Sequence, residues 1–379
     1  LSKRKIKKIC FILLSILLGL SLSEMLLRLT PNIKVSTVKW VPNSMMGAIM
    51  APNQQARFSS MEFDNVVLTN SAGYHDFEYT YKKSKDTFRI LVLGDSFVEG
   101  VHVKRHELFF NILQKQLNQN TADKKYEVVA IARSGWGTAQ ELKVFEEYGL
   151  KYQPDLVILA LLPGNDFGDS HLLLKKDVHM PYYQIKQNGL SFVHAQQNAS
   201  LNGWFYTLYK SSQLLCFLKQ NLSTFRKGRS SRKGIPSHLG LYVRNKGKDW
   251  QEAVEITSLC LKRMNEICQE KNINFLCLVL DDKALMGEET GVNYKKTYPN
   301  LSLEEYDFYY PYTFLYGFCK KHNIQQASLL KYFQQDFKST EKRSHFVYDG
   351  HWNEYGHSLT AKFLYEYLSS RPHLMGKSR

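Results

Sequence analysis

Phe88-Arg89-Ile90-Leu91-Val92-Leu93-Gly94-Asp95-Ser96-Phe97-Val98-Glu99-Gly100 is the stretch whose reading decides the fold. The run from Phe88 to Leu93, apolar except for Arg89, stops at Gly94 and reads as a buried strand. Beyond the polar residues that follow, Leu108, Phe109, Ile112, Leu113 and Leu117 recur at helical spacing over 106–119. Working outward, the alternation repeats. Residues 126–131 predict a second strand, 139–148 a second helix, and 155–162 (DLVILALL, introduced by Pro154) a third strand. The rhythm breaks over 167–248, where the aromatic stretch 204–218 predicts a helix, and resumes with a helix over 250–269, a strand over 273–280 (INFLCLVL) and a helix over 309–321. Strands alternating with helices of this length imply a parallel sheet covered on both faces, a flavodoxin-like three-layer α/β/α sandwich.

No internal repeat is visible, so the 379 residues divide by composition. Residues 1–29 form a signal-anchor segment, 30–85 an irregular polar lead-in, and 86–372 one α/β domain with an insertion at 167–248. At 44% hydrophobic residues the chain can bury a sizeable core. The formal net charge of +15 is concentrated partly in Lys3, Arg4, Lys5, Lys7 and Lys8, and partly in Arg226, Lys227, Arg229, Arg232 and Lys233. The second cluster reads as a solvated basic loop, with anionic glycan or lipid headgroups as the functional alternative. Nucleic acid is not expected as a partner, because no zinc-finger spacing or RNP-like aromatic motif accompanies the charge. Of six cysteines, Cys10 lies in the apolar N-terminal run, and Cys216, Cys260, Cys268, Cys277 and Cys319 form no CxxC pair. That pattern is not a disulfide framework.

Residues 9–23 are uncharged, and Met25, Leu26, Leu27 and Leu29 extend the run past Glu24 and Arg28. Counted to Leu29 it satisfies the roughly 20 residues that a bilayer core requires. The basic flank places the N-terminus in the cytoplasm and the residues after about 30 outside. The expectation is an uncleaved anchor with a catalytic domain in the periplasm or outside the cell. A signal peptide cleaved near Ser21-Leu22-Ser23 is the alternative.

In open α/β sheets functional residues gather beyond the carboxyl ends of the strands. That rule selects Gly94-Asp95-Ser96 after the first strand, Ser134-Gly135-Trp136-Gly137 after the second and Gly164-Asn165-Asp166 after the third. Asp349-Gly350-His351-Trp352-Asn353 precedes the final helix. Each piece alone has a bland reading: Ser96 as a helix N-cap, Gly135 and Gly137 as turn glycines, GND as a turn, His351 as a structural histidine. Together they carry chemistry. A serine hydroxyl becomes a nucleophile when a base takes its proton, and imidazole suits that task near neutral pH. Asp349, two residues before His351, can face the same side of an extended loop and hold the ring through its Nδ1 hydrogen. His357, on the final helix, is the rival base and has no acid shortly before it. Asp95 and Asp166 read as carboxylates that fix loops. A metal site from Asp349, His351 and His357 lacks a recognised ligand spacing such as HExxH and is set aside.

The four blocks GDSFVEG, SGWG, GND and DGHWN resemble those of the SGNH (GDSL-like) hydrolases. TNSAGYHDFEYT and the run SGWGTAQELKVFEEYGLKYQPDLVILALLPGND resemble a membrane-anchored bacterial branch of that family. The likeness covers about 66–170 and 245–370, departing at GDSF for GDSL and at AIARSG before the second block. The resemblance implies Ser96 as nucleophile, His351 with Asp349 as its base pair, and an oxyanion hole from the N–H groups of Ser96 and Gly135 and the Asn165 amide. It implies no cofactor. The expected reaction is hydrolysis of an O-acyl ester, with a glycan or a lipid as the candidate carrier. DGHWN also resembles the His block of envelope polysaccharide O-acetyltransferases, which makes acyl transfer to a sugar the alternative outcome. A non-catalytic envelope binding protein on the same scaffold is a third reading, opposed by the intact residue set. The insertion is expected to shape substrate choice, through Trp204, Phe205, Tyr206 and Tyr209 and the basic residues behind them.

Overall fold

The structure is a computed structural model that describes residues 2–30, 33, 35–119, 124–187, 189–196, 203–229, 237–286, 295, 298–299 and 301–376, with the side chains of 223–229 and 237 left out. The basic side chains of Arg226, Lys227, Arg229, Arg232 and Lys233 therefore lie outside the described residues.

Five strands, β1 (Thr87–Gly94), β2 (Lys125–Ala132), β3 (Leu156–Leu161), β4 (Asn274–Val279) and β5 (Gln325–Ser328), form one sheet in the order β5-β4-β3-β1-β2. All four pairings are parallel. This is the flavodoxin-like order, whose topological switch point lies between β1 and β3. Side chains alternate between two cores, as the two-residue period of a strand requires. Leu91, Leu93, Val157 and Leu159 face helices α2 (Thr138–Glu147) and α3 (Lys248–Glu270), together with α4 (Tyr310–Lys321). Ile90, Val92, Ile158 and Ala160 face α1 (Phe109–Gln119), α5 (Leu330–Thr340) and α6 (Glu354–Ser369). The result is a three-layer α/β/α sandwich. Both β5 and α5 escaped the sequence reading. β5 has only four residues and pairs on one side alone, so Gln325 and Gln326 stay half-buried and no apolar run marks the strand.

The lead-in departs from the irregular segment that its composition predicts. It contains two antiparallel hairpins, Trp40–Asn43 with Gly47–Met50 and Gln55–Ser59 with Asp64–Leu68. Polar turn residues at their tips hid the short strands. The following residues seal the sheet: the Asp76 carboxylate accepts from Ala130 N (2.9 Å), Gln114 from Val128 N (2.7 Å) and Asn118 from Tyr126 N (2.9 Å). The free edge of β2 is thus covered by side chains rather than left open to another strand. Burial pushes the Asp76 carboxyl up to about 7.

Within the insertion, Tyr182–Lys186 and Gly189–Val193 pair as a hairpin. The single aromatic helix expected over 204–218 is two helices, Trp204–Ser211 and Gln213–Arg229, broken at Ser212. At the N-terminus, Lys3–Leu29 is one helix long and apolar enough to cross a membrane, and its side chains are exposed almost throughout. All six cysteines are free.

Candidate active site

The carboxyl ends of the strands bring the sequence blocks together. β1 ends at Gly94, and Asp95 caps the short helix Ser96–Glu99 by accepting from Phe97 N at 2.8 Å. Ser96 thereby sits at the first position of a helix, where its own N–H is left without an intrahelical partner. Among the described residues neither Ser96 N–H nor Gly135 N–H has a hydrogen-bond acceptor. His351 lies on the loop before α6, with Nε2 2.7 Å from Ser96 Oγ and Nδ1 2.5 Å from Asp349 Oδ1. In the tautomer these contacts favour, Nδ1–H donates to the carboxylate and the serine hydroxyl donates to Nε2. Burial pulls the Asp349 carboxyl up. The hydrogen bond from His351 and the charges of His102 and His351 outweigh it and bring the group below the ordinary carboxylate range.

The second block is held from the first. Glu99 accepts from Ser134 N at 3.0 Å and from Ser134 Oγ, fixing the turn next to Gly135. Gly135 has φ +80°, a conformation that only glycine adopts without strain. Gly137 has an ordinary φ of −123°, yet a Cβ there would stand 2.6 Å from Asp166 O. Its lack of a side chain is what lets the second and third blocks touch. The third block is not the turn its composition suggests, but the first turn of a helix, Pro163–Asp169. Asn165 is exposed there, with its amide 3.4 Å from Asp95 Oδ2, and Asp166 is buried and accepts from Leu162 N at 2.9 Å. Burial pushes the Asp95, Glu141 and Asp166 carboxyls upward; the charge of Asp95 adds to the rise at Glu141, and those of Glu141 and Asp95 add to it at Asp166. Asp95 and Asp166 hold loops, as their positions in the blocks suggest.

His357 is placed elsewhere. Its ring is buried, Nδ1 accepts from Phe109 N at 3.3 Å, and burial lowers it to about 3. It is a cap for α1.

Several groups that the sequence reading missed surround the site. His102 is buried with its ring stacked on His351 (centroids 4.2 Å, planes 20° apart), and its Nε2 lies 3.4 Å from Asp349 Oδ1. Burial, then the charge of His351, lowers it to about 3, so near neutral pH the contact joins a neutral ring to a carboxylate. Phe58 and Phe63, from the lead-in, meet the His102 ring edge-on at 5.5 and 4.9 Å. Between those phenylalanines, Glu62 accepts from three successive backbone N–H groups of the loop before α6: Val347 (2.5 Å), Tyr348 (2.8 Å) and Asp349 (2.7 Å). Behind the loop, Asp281 at the end of β4 accepts from Trp352 Nε1 (2.9 Å) and lies 3.2 Å from His345 Nε2. Burial pushes Asp281 up to about 8 and His345 down to about 3. Through its bond to Trp352, Asp281 braces the loop from inside the domain. Nothing in the local sequence around His102 or Glu62 marks them, because their roles exist only after distant segments pack.

His102, Asp349 and His351 offer ligand atoms within 4.8 Å of one another. Both ring nitrogens of His351 are already engaged, Nδ1 by Asp349 and Nε2 by Ser96. An open groove of about 770 Å³ leads to Ser96, lined by Phe97 and Asn165 on one side and by Tyr242, Asp282, Lys283 and Tyr348 on the other. The insertion reaches this groove through its last residues, His238 and Tyr242. Trp204, Phe205, Tyr206 and Tyr209 are not among the lining residues.

In sheet order, and in the four loops at its carboxyl ends, the chain resembles the SGNH hydrolases. No protein-family profile and no curated protein sequence matches it. Solved structures similar to it include an acetyl xylan esterase (TM-score 0.39, 14% identity, 74% of this chain and 100% of that one). Another is the psychrotrophic esterase EstA from a Pseudoalteromonas species (TM-score 0.38, 12% identity, 75% and 98%). At such scores the likeness carries no argument about chemistry.

Proposed function

We propose that the protein is a serine-dependent SGNH-type esterase that cleaves O-acyl esters through a seryl-acyl intermediate, held outside the cytoplasm by the helix Lys3–Leu29. One observation carries the reading: Ser96 Oγ, His351 and Asp349 are joined at 2.7 and 2.5 Å at the carboxyl end of a parallel sheet. In this reading Ser96 Oγ attacks the acyl carbon while its proton passes to His351 Nε2. Asp349 stabilises the imidazolium that forms. Ser96 N–H, Gly135 N–H and the Asn165 amide receive the oxyanion, and one such donor is worth roughly 3 kcal/mol in the transition state. Collapse of the tetrahedral intermediate sends the proton from Nε2 to the departing alcohol. Water, with His351 as base, then frees the acid.

The groove favours a short acyl group on a hydroxyl-rich carrier. Tyr242, Asp282, Lys283 and the exposed Tyr348 offer hydrogen bonds and ring faces suited to a sugar, whereas a long alkyl chain would want an apolar tunnel. The same rim would seat a sugar hydroxyl in place of water, and the protein would then transfer the acyl group. The full chain in detergent should hydrolyse p-nitrophenyl acetate and take up a fluorophosphonate probe, and Ser96→Ala should do neither. Added glycan acceptors separate hydrolysis from transfer by product. Equal probe uptake by wild type and Ser96→Ala would refute the nucleophile.

A further inference from the structure

The helix Lys3–Leu29 carries an acidic residue where a membrane-crossing helix should avoid one, and the insertion supplies its partners. Helical rise is 1.5 Å per residue, so the uncharged run 9–23 spans only about 22 Å of a hydrocarbon core of about 30 Å. Twenty residues counted from Ile9 end at Arg28, which leaves Glu24 about 6 Å inside the outer boundary. Its carboxylate is met there by Arg28 Nε (2.7 Å), Ser212 Oγ (2.8 Å), Gln213 N (3.0 Å) and Leu214 N (2.9 Å). Arg28 also donates to Ser211 O at 2.9 Å. The junction of helices Trp204–Ser211 and Gln213–Arg229 is therefore tied to the outer end of the apolar helix.

What that junction presents is apolar. Trp204 (77% exposed), Phe205 (65%) and Leu208 lie at i, i+1 and i+4, on one helical face. Leu218 and Leu222 are exposed one turn apart on the next helix. The opposite face is bound to the protein body: Tyr206 Oη accepts from Trp40 N at 2.8 Å and Gln220 Oε1 from Ser36 N at 3.2 Å. Lys210 and Lys219 flank the Tyr209 ring at 5.2 and 4.6 Å, and the chain as a whole carries +15. Exposed Trp and Phe beside Lys, at the level where an apolar helix leaves the bilayer, match what the headgroup layer of an anionic membrane attracts.

We infer that helix Trp204–Ser211 and the start of helix Gln213–Arg229 rest in the outer headgroup layer of the membrane that Lys3–Leu29 crosses, with Trp204, Phe205 and Leu208 inserted among the acyl chains. The inference rests on the reading of Lys3–Leu29 as a membrane span. It makes the insertion a foot: its bonds to Ser36 and Trp40 hold the domain against the surface, where a bare tether would let it swing.

The test uses the full chain reconstituted into vesicles of phosphatidylcholine and phosphatidylglycerol, with bromines on the lipids near the glycerol end. About a fifth of the tryptophan emission, the share of Trp204 among five tryptophans, should be quenched. Trp204→Phe should lose that quenching and keep its rate on p-nitrophenyl acetate. A protein that floats with the vesicles but shows no shallow quenching, or shows it equally in Trp204→Phe, overturns the inference alone. A protein that does not float overturns the membrane span as well. An intermolecular disulfide in Trp204→Cys without lipid quenching would assign the face to a second copy of the chain instead.

Discussion

Glu62→Gln should slow the enzyme without unfolding it. One carboxylate at the tip of the second lead-in hairpin accepts from Val347 N through Oε1, and from Tyr348 N and Asp349 N through Oε2. Glutamine keeps one oxygen and turns the other into a donor, so one or two of the three bonds are lost and an N–H faces an N–H. Hydrogen bonds to a charged group contribute about 1.5–3 kcal/mol each when the group is held. This loop is exposed and water can take up part of the loss, so about 1.5–3 kcal/mol in total is the reasonable range. Asp349 is itself one of the three donors and holds His351 at 2.5 Å, so the cost falls on the position of the base. The expected fall in kcat/KM on p-nitrophenyl acetate is roughly 10- to 150-fold, in kcat more than in KM because acetyl makes few contacts away from the reacting atoms. The thermal midpoint should move by only a few degrees. A kcat/KM within about twofold of wild type, with native circular dichroism, would refute the argument. Lys283, which donates to Val347 O from the other side, would then suffice to hold the loop.

Two further outcomes separate the roles of His351 and His357. His351→Ala should lower kcat by roughly 10⁴-fold with the fold intact, whereas His357→Ala should cost stability, on the order of 2–4 kcal/mol for a buried ring, and leave turnover measurable; a folded but inactive His357→Ala would overturn the choice of base. The second outcome is a pH dependence. Burial lowers His357 from 6.5 to about 3, so between those values the unfolded chain binds a proton that the folded protein does not. The stability linked to this ring is present above pH 6.5 and is lost as pH falls toward 3, at up to about 1.4 kcal/mol per pH unit. The gap in thermal midpoint between wild type and His357→Gln should therefore narrow from pH 6.5 to pH 4, and a gap that does not change with pH would contradict the shift.

The fold was legible wherever burial wrote itself into composition. β1, β3 and β4 lie inside the sheet, are apolar on both faces, and were found to within a residue or two. The short edge strand β5 and the lead-in hairpins contact the core on one side or less, so their residues read like loop. Ser96, Asp349 and His351 were legible because a strand end, a glycine turn and an Asp-x-His spacing are local patterns, and the distances place the three together. Glu62 and His102 obey no local pattern. Glu62 meets Val347 across 285 positions of sequence, and its function is a set of backbone hydrogen bonds that leave no trace in the residues of its partner. The aromatic stretch 204–209 was legible as a helix but not in its bearing, because the apolar face that it exposes looks in sequence like one that packs inward.

The loop that carries Asp349 and His351 explains why the lead-in matters to the proposed site. Between Ser344 and Asn353 the chain doubles back: Phe346 N donates to His351 O (2.9 Å) and Gly350 N to Phe346 O (3.2 Å), while His345 and Trp352 pair as an isolated bridge. That leaves 347–350 as a tip that packs little of its own surface, with Tyr348 82% exposed. A tip of this kind would ordinarily wander by more than the few tenths of an ångström that proton transfer at 2.7 Å tolerates. Its base is braced from inside the domain by Asp281 through Trp352, and its end from outside by Glu62. The stacked His102 ring limits the tilt of His351, and Phe58 and Phe63 of the same hairpin keep His102 in place. Composition draws a boundary at residue 86, but the unit that orients His351 begins with the hairpin Gln55–Leu68: Glu62 holds the loop from outside, while Ser96, Asp349 and His351 themselves belong to the sandwich.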